Sequence, residues 1–270
     1  MFTDFDAFGY VEADRGGEAI DLGLSAPPIA PSPLLPTVFL PGLLCDAALW
    51  RPQIDALADI VAPVVADLTL DDTIAAMARR VLASAPPRFA LVGLSMGGYV
   101  ALEIMRQAPE RVTRLALIDT SARPDTAERA AVRRAGMASL RRGRFVGVTR
   151  ALLETLVHAD QTEGPVADML RAMAGRVGGD AFLRQQNAIL GRIDSRPYLP
   201  DIRVPTLIAV GDGDRLTPLR DAEEMADLVP DARLHVFERC GHLPALERPD
   251  ETAALLQWWL GAALEGRLPG

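Results

Sequence analysis

Short apolar runs alternate along the chain with longer segments that have helical spacing. The runs predict strands at residues 37–40, 61–66, 89–92, 115–118, 206–210 and 233–237. Most of them are continuously apolar, which is typical of strands buried on both faces. Helices are predicted between them, at about 47–58, 74–85, 99–108 and 219–228, and after the last strand at about 250–263. Strands that alternate with helices predict an α/β fold with a mostly parallel, doubly wound sheet.

The alternation stops at Thr120. Residues 121–196 contain no convincing strand, and their spacing predicts helices at about 125–142, 145–158, 164–175 and 180–191. This segment is too long for an ordinary crossover connection, so we interpret it as a helical insertion. Residues 37–120 and 197–270 then form the core, and residues 1–36 form a poorly patterned, proline-rich lead-in with weak strand signals near 9–12 and 19–22.

Composition narrows the class of protein. The chain has 270 residues, 49% of them hydrophobic, and no apolar run reaches the roughly 18 residues that a membrane helix needs. The first residues lack the pattern of a secretory signal, so we expect a cytoplasmic protein. A net charge of −8 argues against general nucleic-acid binding. All 28 basic residues are arginine, which suggests coding bias of a bacterial kind, and the two cysteines, Cys45 and Cys240, imply no disulfide framework.

Residues 93–97 read Gly-Leu-Ser-Met-Gly, a G-x-S-x-G pattern between a predicted strand and a predicted helix. A sharp turn there exposes Ser95, and glycines at 93 and 97 avoid clashes where the chain passes close to itself. The amide of Met96 opens the helix and would face an oxyanion formed at Ser95. The plainer interpretation is a glycine-rich connection with an incidental serine.

A serine nucleophile needs a base, and the chain offers three histidines. His158 lies at the end of a predicted insertion helix, and His235 lies inside a strand. Only His242 lies on a loop that follows a strand of the sheet, which is where ligand-side loops occur. We therefore predict that His242 is the base.

The acid that orients the base should lie on another loop of the same edge. The loop after the strand at 206–210 offers two carboxylates, Asp212 and Asp214, and Asp119 ends an earlier strand. For the second oxyanion donor, the loop after the first strand contains Pro41-Gly42, and we predict that the amide of Leu43 turns inward beside it.

Together these motifs resemble the α/β-hydrolase superfamily. Its members carry a G-x-S-x-G serine, an aspartate in a Gly-x-x-Asp loop and a Gly-His pair in that chain order, as Ser95, Asp214 and His242 stand here. The resemblance implies Asp214, rather than Asp212, as the acid and a helical lid at 121–196. The resemblance covers roughly residues 37–265. Family members with such a lid include carboxylesterases, acyl-carrier-protein methyl ester esterases and carbon–carbon bond hydrolases.

Three departures from the family pattern are visible. Pro41-Gly42 replaces the usual His-Gly before the oxyanion residue, and no N-terminal hairpin is recognisable in residues 1–36. A loop often rich in glycine is replaced by residues 67–71, with aspartate at both ends. These changes affect the pocket walls and the first strands rather than the serine, aspartate and histidine.

The resulting hypothesis is a carboxylic ester hydrolase of the carboxylesterase type that works through an acyl-enzyme on Ser95, without metal or cofactor. A carbon–carbon bond hydrolase or an amidase would use the same residues, and a ligand sensor on the same scaffold is the non-enzymatic alternative. We expect a small ester substrate with an apolar acyl group.

The first third of the insertion is rich in arginine. The plain interpretation is a solvated helix face, and the sharper hypothesis is a docking site for an anionic substrate carrier. The arginines concerned are Arg123, Arg129, Arg133, Arg134, Arg141, Arg142, Arg144 and Arg150. Apolar lid side chains would either line an acyl pocket or form the lid's own core, namely Leu140, Phe145, Leu152, Leu153 and Leu156.

Overall fold

The computed structural model describes residues 34–143 and 145–261. Its strands are β1 (Leu35–Leu40), β2 (Val61–Val65), β3 (Phe89–Leu94), β4 (Val112–Ile118), β5 (Thr206–Gly211) and β6 (Arg233–Phe237). They form one parallel sheet in the order β2-β1-β3-β4-β5-β6. The predicted fold class, an α/β protein with a parallel sheet, is therefore confirmed.

The strand order determines where a ligand can bind. From β1 the chain moves outward to β2, then crosses back to β3 on the other side of β1 and continues outward to β6. The order thus reverses between β1 and β3, and the loops after these two strands diverge there. In open parallel sheets such a point forms a crevice at the carboxyl ends of the strands.

Nine α-helices lie within the described residues. They are α1 (Arg51–Ala56), α2 (Ile74–Ser84), α3 (Met96–Gln107), α4 (Ala127–Arg142), α5 (Arg150–Leu156), α6 (Pro165–Leu190), α7 (Leu219–Leu228), α8 (Pro244–Glu247) and α9 (Pro249–Gly261). Asp46 caps the 3-10 turn before α1 and Thr73 caps α2, since their side chains accept hydrogen bonds from the amides of Ala48 and Ala76.

Some predicted boundaries were wrong. The predicted helix 47–58 begins with a 3-10 turn, Ala47–Trp50, because Pro52 lacks the amide that a continuous helix would need. The predicted helix 145–158 begins only at Arg150, where Thr149 caps it. Helices predicted at 164–175 and 180–191 run together as α6, with a kink where Gly178 takes φ 76°. The short helix α8 was not predicted.

Alternate residues of the central strands pack on opposite faces of the sheet, as the two-residue period of a strand requires. In β3, Leu91 lies in the apolar layer with α2, α3 and α7, whereas Ala90 and Val92 lie in the layer with α9 and part of the insertion. Both faces of β3 are therefore buried, which explains why this strand is continuously apolar in sequence.

Between β4 and β5, the described residues form helices and turns but no strand. None of the described helices is long and apolar enough to cross a lipid bilayer. The weak strand signals near 9–12 and 19–22 lie outside the described residues.

Candidate active site

Ser95 lies at a sharp turn between β3 and α3. Its backbone has φ 56° and ψ −116°, an unfavourable conformation for a residue with a Cβ. Two hydrogen bonds to the next strand hold the turn in place. The Ser95 amide donates to the carbonyl of Ile118 at 3.0 Å, and the Thr120 hydroxyl donates to the carbonyl of Ser95 at 2.8 Å. Neighbouring structure therefore stabilises the strained turn that presents Ser95.

The two glycines of the motif are required by close packing. A Cβ at Gly97 would lie 2.2 Å from the carbonyl oxygen of Leu40 in β1. A Cβ at Gly93 would lie 2.6 Å from the carbonyl oxygen of Gly97. Both distances are too short for non-bonded atoms, so neither position accepts a larger residue without movement of the backbone.

The predicted base and acid meet Ser95 in one hydrogen-bonded chain. His242 Nε2 lies 2.8 Å from Ser95 Oγ, and His242 Nδ1 lies 2.7 Å from Asp214 Oδ2. The imidazole of His242 and the carboxylate of Asp214 are buried, with His242 at 3% exposure. This arrangement allows Nε2 to take the serine proton while the carboxylate holds the imidazole in the required tautomer.

The carboxylate of Asp214 is held by the loop that carries it. Oδ1 accepts from the amides of Leu216 and Thr217 at 2.7 and 3.1 Å, and Oδ2 accepts from the Thr217 hydroxyl at 2.7 Å. Burial alone would raise the pKa of Asp214, but the charge of His242 and the hydrogen bonds from His242 and the Thr217 hydroxyl lower it to about 2. Asp214 is therefore ionised over the whole working pH range of a histidine base.

The other two carboxylates have different surroundings. Asp212 accepts hydrogen bonds from the amides of Arg239 and Cys240 at 3.0 Å each, so it joins two loops. Asp119 is fully buried, and its Oδ1 accepts from the Gly211 amide at 2.9 Å. Burial and the nearby charge of Asp214 raise the pKa of Asp119 well above its usual range, which favours a neutral carboxyl group.

The remaining histidines lie elsewhere. His158 precedes a 3-10 turn at Ala159–Gln161 and accepts a hydrogen bond from the Asp160 amide. His235 lies 3.0 Å from Glu251 and packs edge-on against Phe237. Among the histidines of the described residues, only His242 bonds Ser95.

The two predicted oxyanion donors border the serine. Met96 follows Ser95 as the first residue of α3, and its amide lies at the positive end of the helix. Leu43 lines the same cavity as Ser95 and His242, and a Cβ at the preceding Gly42 would lie 3.5 Å from the Ser95 Cβ. Neither amide has an acceptor among the described residues.

A cavity of about 490 Å³ opens onto Ser95 and His242. Apolar side chains form most of its wall, including Leu43, Val148, Leu152, Leu156, Leu170 and Phe182. One part of the wall is polar and is formed by Arg129, Arg133 and Gln186. Of the five apolar lid residues named from the sequence, Leu152 and Leu156 line this cavity, and Leu153 is buried in a core cluster.

The thiol of Cys45 also borders the cavity. Burial, together with the charge of Asp46, raises the pKa of this thiol to about 12. A thiol that stays protonated is a poor nucleophile, so this shift does not favour Cys45 as a reactive group.

One potential ligand atom from each of Asp119, Asp214 and His242 lies within 4.8 Å of the others, which is close enough for all three to contact one metal ion. However, both oxygens of Asp214 and both ring nitrogens of His242 already have protein partners. We interpret the group as a histidine with its orienting acid, beside a neutral carboxyl group.

Two buried side chains were missed by sequence reasoning. The carboxylate of Glu247, with 4% exposure, accepts from the amides of His158, Gly241 and Leu243 at 2.7, 3.0 and 3.0 Å. Gln185 bonds the loop that contains Leu43. Local sequence around Glu247 shows only a short proline-bounded helix, and nothing in it indicates a partner 89 residues away.

Comparison with known proteins places this chain among the alpha/beta hydrolases. A family model described as the alpha/beta hydrolase family matches residues 37–255. A pimeloyl-(acyl-carrier protein) methyl ester esterase of Aromatoleum aromaticum is 33% identical over 211 residues, which is 68% of this chain and 79% of that relative.

Solved structures give the same picture. A thermophilic esterase from Thermogutta terrifontis superimposes with a TM-score of 0.75 at 27% identity, covering 84% of this chain and 89% of that one. An enol-lactonase from Burkholderia xenovorans superimposes with a TM-score of 0.72 at 26% identity, covering 84% and 92%. Both proteins are named for the cleavage of an ester or a lactone.

Proposed function

We propose that this chain, which belongs to the alpha/beta hydrolase family, hydrolyses carboxylic esters through an acyl-enzyme formed on Ser95. The hydrogen-bonded chain of Ser95, His242 and Asp214 at the cavity is the observation that carries the proposal. The family and its esterase-named relatives make the protein a hydrolase. The nucleophile and the roles of individual residues are our assignments.

The first half of the reaction forms the acyl-enzyme. Ser95 Oγ attacks the ester carbonyl carbon while His242 Nε2 takes the serine proton, and the amides of Leu43 and Met96 stabilise the resulting oxyanion. When the intermediate collapses, the bond to the alkoxy group breaks, and the imidazolium returns its proton to the leaving alcohol.

The second half releases the acid. His242 takes a proton from water, and the hydroxide oxygen attacks the acyl carbon of the ester on Ser95. Collapse of this second intermediate breaks the bond to Ser95 Oγ, which regains its proton from His242. Asp214 keeps the imidazole in one tautomer and stabilises its cation in both halves.

We assign residues 121–196 as a lid over a core of residues 37–120 and 197–270. The end of α5 contacts the histidine loop directly, since the His242 amide donates to the carbonyl of Leu156 at 2.7 Å. A Cβ at Gly241 would lie 2.6 Å from the Cα of Val157. The lid therefore supports the loop that carries the base, and it supplies apolar walls for an acyl chain.

We further propose that the substrate is delivered on an acidic carrier. Arg134, Arg141 and Arg142 are exposed on α4 and have no carboxylate partner within the described residues. In contrast, Arg123, Arg133 and Arg150 pair with acidic side chains. The relative from A. aromaticum is named for a substrate attached to acyl-carrier protein, which supports this proposal.

Covalent labelling tests the proposed nucleophile. A fluorophosphonate probe should label the purified protein at Ser95, and Ser95→Ala should lose both labelling and turnover of a p-nitrophenyl ester while its thermal melting is unchanged. A Ser95→Ala protein that still turns over the ester would refute the assignment. Ser121→Ala, which alters a buried serine elsewhere, is the matched control.

A further inference from the structure

Gln185 bridges two loops of the core from its position on the lid helix α6. The amide of Leu44 donates to Gln185 Oε1 at 3.1 Å, and Gln185 Nε2 donates to the carbonyl of Leu68 at 3.2 Å. The side chain is fully buried, with 0% exposure. Its partners lie 141 and 117 residues away in sequence, so the two bonds join the loops after β1 and β2 to the lid.

The loop after β1 is a tight turn in a strained form. The amide of Cys45 donates to the carbonyl of Gly42 at 3.2 Å, which closes a four-residue turn over Leu43 and Leu44. Leu44 stands at the third position with φ 60°, where a turn of this kind normally has glycine. Rotation of the peptide between Leu43 and Leu44 would relieve the strain and turn the Leu44 amide away from its present direction.

We propose that Gln185 is a positioning residue for the oxyanion hole. Its Oε1 holds the Leu44 amide, which prevents this rotation and keeps Leu43 beside Ser95. The inference rests on the proposed function, because it gives a task to Gln185 only if the Leu43 amide stabilises an oxyanion. The inference also requires α6 to be packed in its present position for the oxyanion hole to form, because this helix supplies the acceptor of the Leu44 amide.

The neighbouring residue gives a matched control. Arg184 Nε donates to the carbonyl of Thr69 at 2.8 Å, so Arg184 fastens the same helix to the loop after β2 without touching Leu44. Arg184→Met therefore removes one attachment of α6 and leaves the acceptor of the Leu44 amide in place. Gln185→Met retains the length of the side chain but removes the acceptor of the Leu44 amide.

Steady-state kinetics with p-nitrophenyl butyrate test the proposal, with rates expressed per active site titrated by fluorophosphonate. We expect Gln185→Met to lower kcat about 10- to 100-fold, somewhat less than complete loss of one hole donor, with KM nearly unchanged. Inhibition by a trifluoromethyl ketone, whose adduct with Ser95 carries an oxyanion, should weaken by a similar factor. Arg184→Met should change both quantities less than about threefold.

A second substitution separates strain from general damage. In Leu44→Gly/Gln185→Met, glycine adopts the positive φ without strain, so kcat should recover at least about tenfold relative to Gln185→Met. A normal kcat in folded Gln185→Met, or a rise in KM alone, would overturn the inference while an inactive Ser95→Ala still supports the proposed function. If Gln185→Met does not fold, the inference is overturned when the double variant folds but its kcat is not restored towards that of the wild type. An active Ser95→Ala would instead remove the proposed function.

Discussion

The carboxylate of Glu247 holds the backbone on both sides of His242. It accepts hydrogen bonds from the amides of Gly241 and Leu243, and also from the amide of His158, which follows α5 in the segment between β4 and β5. The hydrogen bonds from Gly241 and Leu243 are buried, and the one from His158 is partly buried. One side chain thus holds the loop that carries His242 and fastens it to the segment between β4 and β5.

Removal of Glu247 should therefore reduce both stability and turnover. Glu247→Ala leaves two buried amides and one partly buried amide without an acceptor. At about 1–3 kcal/mol for each buried amide, we expect a loss of at least about 2 kcal/mol in the free energy of unfolding. The kcat should fall at least about tenfold as His242 becomes less well placed. Denaturant unfolding and ester kinetics measure the two effects. Glu251→Ala, an exposed residue paired with His235, should change the free energy by less than about 0.5 kcal/mol.

Asp214→Asn should nearly abolish turnover with little loss of fold. The amide would favour the wrong tautomer of His242 and would not stabilise its cation, for which a fall in kcat of about 10⁴-fold is typical. Asp212→Asn is the control, because Asp212 bonds the amides of Arg239 and Cys240 rather than the imidazole. A larger loss of kcat in Asp212→Asn than in Asp214→Asn would reverse our assignment of the acid.

The positions of Ser95 and His242 were predictable because each follows a strand and carries a local glycine signature. The acid was less certain, since Asp212 and Asp214 share a loop and only the fold shows that Asp212 bonds the backbone after β6. Gln185 and Glu247 could not be predicted, because their roles depend on partners 89 to 141 residues away in sequence. Spacing and caps report local structure, whereas these bonds arise from tertiary packing.

The buried carboxyl group of Asp119 predicts a loss of stability as pH rises above about 4. Because its pKa is raised in the folded protein, the folded state holds a proton that the unfolded chain releases above about pH 4. Between about pH 4 and the pKa of Asp119 in the folded protein, the free energy of unfolding of the wild type therefore falls as pH rises. A variant that cannot ionise at this position lacks this contribution. The expected slope is about 1.4 kcal/mol per pH unit.

Asp119→Asn should remove this pH dependence. The amide keeps an oxygen for the Gly211 amide, so we expect kcat at pH 7 within about threefold of the wild type. Chemical unfolding at pH 5 and pH 8 should show that the stability of Asp119→Asn relative to the wild type increases with pH. A relative stability that decreases with pH would contradict the neutral state of Asp119.

The apolar wall formed by the lid should determine the length of the acyl chain. Leu152→Trp fills part of the cavity, so p-nitrophenyl octanoate should lose the burial of two or three methylene groups. At about 0.8 kcal/mol per methylene, kcat/KM should fall about 10- to 50-fold, while the value for the acetate ester changes little. Val146→Trp, at a lid position with 77% exposure outside the cavity, should leave the preference unchanged. An equal loss for both esters in Leu152→Trp would indicate damage to the site instead.

Charge reversal on α4 tests delivery of the substrate by a carrier. Arg141→Glu/Arg142→Glu should lower kcat/KM for a methyl ester attached to acyl-carrier protein at least about tenfold, because both arginines are exposed and have no carboxylate partner within the described residues. The rate with free p-nitrophenyl butyrate should change less than about twofold. Added salt should lower the rate at which the wild type turns over the carrier-bound ester, as expected for an interaction between exposed charges.

Arg150→Glu/Arg171→Glu makes the same change in net charge at arginines that already pair with acidic side chains, and it should have a smaller effect. Equal losses in the two double variants would show that net charge, rather than a docking surface on α4, governs the rate.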